Sequence, residues 1–156
     1  MTRRFWLKST MVAALTAGLT VAVLQPHSSR AAVVEGRTVV GFALANGTEE
    51  APATDSKATA LGRFVLSQDR TQVVFEVEVS GLSGEPTAMH LHQAARGTPG
   101  GVVINLGAPK NGQAIGCAAV PSAAIADAFI NQGLYLNIHT AKHPGGEIRG
   151  QVILAP

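Results

Sequence analysis

Two histidines separated by a single residue, His90 and His92, carry the clearest chemical signal in the chain. On an extended strand, side chains at i and i+2 point to the same side. Their imidazoles can therefore chelate one ion, and imidazole suits copper and zinc. A third ligand from a neighbouring strand would complete the site. His139, in Leu134-Tyr135-Leu136-Asn137-Ile138-His139-Thr140, has the matching facing. His143, in the turn that follows, is a further candidate that either swings in or stays solvated. Glu147 and Arg149 alternate with Ile148 just beyond it and are candidates to orient the imidazoles. A second interpretation is a polar network on a half-exposed face. Glu76, Glu78 and Glu147 would then hydrogen-bond the imidazoles, and Glu147 would pair with Arg149 at little gain. Both interpretations stand at this point. Three imidazoles alone do not name a metal; copper is preferred here to zinc.

Other chemistries lack their residues. No phosphate-cradling Gly loop with Lys and no Gly-x-Ser-x-Gly elbow is present. The single Cys117 allows no disulfide within the chain and no zinc pair. Its neighbours, Ala114-Ile115-Gly116 and Ala118-Ala119, suggest a small buried hydrophobe.

The elements that must position the histidines read as antiparallel β-structure. Short apolar runs at 38–45, 58–67, 72–80, 87–93, 101–106, 113–119, 134–140 and 146–154 alternate with turn signals. This spacing suits a sandwich or barrel. Asn46-Gly47-Thr48 formally matches a glycosylation sequon but reads as a plain turn. Alternation assigns the faces. Val73, Phe75, Val77 and Val79 go inward, as do Met89, Leu91, Leu134, Leu136, Ile138, Ile148, Val152 and Leu154. His90, His92, Tyr135, Asn137, His139, Glu147, Arg149 and Gln151 go outward. One helix is predicted from Pro121-Ser122 to Gln132. Ser122 caps it and Gly133 supplies the left-handed terminator. Ile125, Phe129 and Ile130 form its apolar side.

Length and composition fit one domain behind a leader. The chain has 156 residues, 46% apolar and 14% charged, which excludes a disordered polymer. Residues 1–31 have the parts of a cleavable export signal. Arg3, Arg4 and Lys8 precede an uncharged run from Ser9 to Leu24, and small residues end at Ala31. Arg3-Arg4-Phe5-Trp6-Leu7-Lys8 resembles the bacterial twin-arginine motif. Residues 32–37 form a tether and 38–156 the domain. The expected location is periplasmic or extracellular. The formal charge of +2 belongs to the leader. Without it, eight bases face ten acids, so the mature chain is near −2. No nucleic-acid or membrane partner is expected after cleavage. A protein or glycan partner stays open.

Longer motifs then point to a family. Gly81-Leu82, Met89-His90-Leu91-His92, the stretch from Gly97 to Leu106, Leu134 to Thr140, and Pro144-Gly145-Gly146-Glu147-Ile148-Arg149-Gly150-Gln151 together resemble the CHRD domain, over about 38–154. The resemblance implies an antiparallel Greek-key or immunoglobulin-like β-sandwich. It suggests a non-enzymatic exported binding module. The strand with His90 and His92 is also similar to the copper-binding strand of copper–zinc superoxide dismutase, with Arg149 placed like that enzyme's anion-guiding arginine. That likeness implies the alternative of a copper-only redox enzyme, although the zinc loop and disulfide are missing. A purely structural or adhesion domain is the third possibility.

Overall fold

The computed structural model describes residues 38–156. The export signal and the tether at 32–37 lie outside the described residues. Among the described residues, nine strands and one α-helix follow in order, with a single 3-10 turn at Gly47–Glu49 after the first strand: β1 (Val39–Asn46), β2 (Thr59–Leu66), β3 (Gln72–Ser80), β4 (Pro86–Gln93), β5 (Gly101–Asn105), β6 (Gln113–Ala119), α1 (Ala123–Ile130), β7 (Leu134–Thr140), β8 (Ile148–Gln151) and β9 (Ile153–Leu154). The strands lie close to their expected places, with the last expected strand split at Val152. β8 pairs with β7, whereas β9 pairs with β1.

All strands join one antiparallel sheet in the order β5-β4-β7-β8-β1-β2-β3-β6, with β9 beside β1. The sheet curls into a nearly closed barrel in which β5 and β6 end the order without pairing. The all-β antiparallel class with one short helix is thus as expected. The joint between β8 and β1 is narrow, with Asn46 opposite Arg149. The apolar faces meet inside. Phe64, Val73, Val77, Met89, Leu91, Leu136 and Ile138 have no exposed surface. Each sits at an inward position of period-two alternation, while Leu61 on β2 and Val74 on β3 take outward positions and stay exposed.

Helix α1 begins as expected, with the Ser122 hydroxyl accepting from the Ile125 N–H at 3.3 Å. Its end differs. Gln132, not Gly133, adopts the left-handed conformation, at φ 57°. The Gly133 N–H then donates back to the Ala128 carbonyl at 2.8 Å, and the Gln132 N–H to Phe129 at 3.1 Å. This is the hydrogen-bond pattern of a Schellman end, one residue earlier than Gly133 suggested.

Cys117 is exposed, which corrects the expectation of burial. Its neighbours in sequence are apolar, but alternation on β6 turns Ala114, Gly116 and Ala118 inward and Cys117 outward. β6 also ends the sheet order, so no further strand pairs on its far side.

Candidate metal centre

β4 presents His90 and His92 on one side of the sheet, and β7 lies directly beside it. In that pairing His90 is opposite Asn137, His92 opposite Tyr135 and Ala88 opposite His139. The three imidazoles therefore share a face. A register shift against β5 falls between Leu91 and His92, at the centre of the chelating pair. Such bulges re-aim neighbouring side chains. One nitrogen from each of His90, His92 and His139 falls within 4.8 Å of the others.

Hydrogen bonds fix which nitrogens are available. His92 Nδ1 lies 2.9 Å from the Gly100 carbonyl, and His139 Nδ1 lies 3.0 Å from the Pro144 carbonyl. A carbonyl can only accept, so both Nδ1 atoms carry the proton and both Nε2 atoms hold a lone pair. Carbonyl restraint of this kind orients histidine ligands in metal sites. His92 Nε2 is buried without a hydrogen-bond partner. His139 Nε2 accepts from His90 Nδ1 at 3.2 Å. Burial is the main cause that lowers the pKa of all three rings. For His90 and His92, repulsion from neighbouring positive charge adds to it. The rings are thus held neutral at pH 7, the form that binds a metal.

The expected polar face is real, but it is not exposed. His92, Tyr135, Asn137, His139, Glu147, Arg149 and Gln151 are all buried. Two loops close over them, one at 94–100 and one following β1. Arg149 donates to the carbonyls of Thr98 and Ala95, each at 2.9 Å. Gln151 donates to Ala94 at 3.1 Å and to Gln132 at 2.9 Å. Tyr135 accepts from the Gly100 N–H at 3.0 Å. Its ring stacks on His92, with centroids 4.9 Å apart, and the Arg149 guanidinium covers its other side at 3.5 Å. Gly100 is required at its position, because a Cβ there would lie 2.0 Å from the Gln93 carbonyl oxygen. Alternation identifies the side a residue takes but not what covers it. That is why the face reads as half-exposed in the sequence.

The remaining candidates take other positions. His143 lies in the turn after β7 and is not one of the three clustered histidines. Glu76 and Glu78 are exposed on β3. Glu147 bonds hydroxyls rather than imidazoles. It accepts from Ser56 Oγ at 2.7 Å, Ser83 N at 2.8 Å, Ser83 Oγ at 2.7 Å and Thr140 Oγ1 at 2.5 Å. Burial pushes its pKa up, yet these bonds together outweigh burial and hold it at about 2. It makes no ion pair with Arg149. The ion pairs among the described residues are Arg70–Asp127 and Arg96–Glu49. The second of these bridges the two covering loops.

A family model described as CHRD domain matches residues 31–152. The chain belongs to the CHRD domain family. No curated protein and no solved structure matches it. The match spans every residue of this CHRD domain's histidine cluster and both of its covering loops. Sequence reasoning gave no role to Tyr135, Asn137, Gln151, Glu50 or Gly100. The first three were legible as members of the polar face. Gly100 acts through backbone groups, for which side-chain types carry no signal. Glu50 reaches the face from the loop after β1, where its carboxylate accepts from the Asn137 amide.

Proposed function

We propose that this chain is an exported CHRD-domain module that binds a metal ion, with copper preferred to zinc, and that it is not an enzyme. One observation carries this reading. Three neutral imidazoles gather their nitrogens within 4.8 Å, and the inner Nε2 of His92 has no protein partner. A buried imidazole nitrogen without a partner costs free energy. An ion held with His139 and His90 would recover that cost.

His92 and His139 would hold the ion from the buried side, and the less buried His90 would close the site toward solvent. Arg149, Tyr135 and Gly100 keep His92 in its metal-competent tautomer. The copper redox-enzyme reading is less well supported, because Arg149 is committed to two carbonyls and a ring rather than free to guide an anion. Export through a twin-arginine route to the periplasm or the exterior is supported by the leader motif. The narrow joint at Asn46 and Arg149 supports a Greek-key sandwich of two four-strand halves, β1-β2-β3-β6 and β5-β4-β7-β8.

The test is titration of untagged protein with Cu(I), Cu(II) and Zn(II), alongside the His90→Ala/His92→Ala double variant. One ion per chain, lost in a double variant that still folds, is the expected result. Equal binding by both proteins would refute the proposal and direct the search to a protein or glycan partner.

A further inference from the structure

The charge around the histidine cluster is one-sided. The clustered donors are three neutral rings, and no Asp or Glu belongs to the group. Most sites for hard dications bring carboxylates, which offset the ion's charge. Here a buried positive charge stands behind the donors instead. Arg149 is 2% exposed, and the ion pairs among the described residues do not include it. Its guanidinium sits on Tyr135, and Tyr135 sits on His92, so the cation stands two stacked layers behind the inner ligand. Two acids adjoin this face: Glu147 is engaged by Ser56, Ser83 and Thr140, and Glu50 by Asn137. Glu50 interacts electrostatically with Arg149, and neither acid is one of the clustered donors.

We propose that the site selects a monovalent ion, Cu(I), over a dication of similar ligand preference, because three neutral donors backed by the buried Arg149 cation charge a dication twice the electrostatic cost. This rests on the metal-binding reading above and names the form of the ion. Three-coordination by imidazole also suits Cu(I), whereas Cu(II) favours a tetragonal set of donors. At the depth of two stacked rings, one unit of buried charge changes the affinity for each unit of ion charge by about tenfold.

The experiment measures Cu(I) affinity without oxygen, and Cu(II) and Zn(II) affinities by competition, on the full chain. Three proteins are compared: wild type, Arg149→Met and Glu50→Gln. The wild type is expected to bind Cu(I) most tightly. Arg149→Met should lower the Cu(I)-to-Cu(II) affinity ratio by about tenfold, a fall of about 59 mV in the potential of the bound one-electron couple. Glu50→Gln removes a carboxylate that interacts with Arg149 and is bonded by Asn137, outside the 94–100 loop, so it should raise the ratio. Should Arg149→Met fail to fold, the wild-type ranking and Glu50→Gln decide. Tighter binding of Cu(II) or Zn(II) than Cu(I), or ratios that ignore both charge changes, would overturn the inference while leaving metal binding intact. Absence of all binding would instead overturn the function on which it rests.

Discussion

Glu147 is fully enclosed, yet it faces no cation. Four hydrogen bonds from Ser56, Ser83 and Thr140 stabilise its charged form and tie three segments to the start of β8. Its folded pKa lies below the ordinary 4.5, at about 2. A lowered carboxylate pKa stabilises the fold above the unfolded value and loses that contribution as pH falls through the folded value. Glu147→Gln should therefore cost about 3 kcal/mol at pH 7. The gap to wild type should close between pH 4.5 and pH 2, as read by urea denaturation across that range. At the metal centre, Gly100→Ala should shift the 94–100 loop and release His92 Nδ1. Metal affinity should fall at least tenfold, about 1.4 kcal/mol, while far-UV circular dichroism stays unchanged. The role of Glu147 was not legible from its sequence neighbours. A carboxylate two residues from an arginine reads as half of an ion pair until distant hydroxyls are placed around it.

Strands were legible because their signal is local. Val73, Phe75, Val77 and Val79 alternate with outward residues that are polar except for Val74, and all four are buried in β3. His90, His92 and His139 were assigned to one face by the same rule, and the β4–β7 pairing puts them there. Exposure was not legible, because the covering loops reach β7 and β8 from distant parts of the chain. The helix shows the limit at a boundary. Ser122 was readable as the cap, whereas the left-handed residue fell on Gln132 because Gly133 supplies the returning N–H. Two substitutions check this element by denaturant midpoints. Ser122→Ala should destabilise by about 1 kcal/mol through the lost cap. Gln132→Gly should stabilise by up to about 1 kcal/mol, because glycine adopts a positive φ without strain.

Across the whole molecule, the β4–β7 pairing and the two covering loops turn three strand histidines into one largely buried site. The sequence likeness and the family match agree on the CHRD domain, while the strand order and the narrow β8–β1 joint became visible only through pairing over long separations. A ligand that binds the folded state alone must stabilise it. Copper at a hundredfold excess over its Kd should add about 2.7 kcal/mol to unfolding. That gain should vanish in the His90→Ala/His92→Ala variant. The most direct test of the central claim is X-ray absorption on protein loaded with one equivalent of Cu(I). The account predicts a first shell of nitrogen with the outer-shell scattering of three imidazoles, reduced in the double variant. A shell dominated by sulfur from Cys117, or an imidazole count that is the same in the double variant, would contradict it.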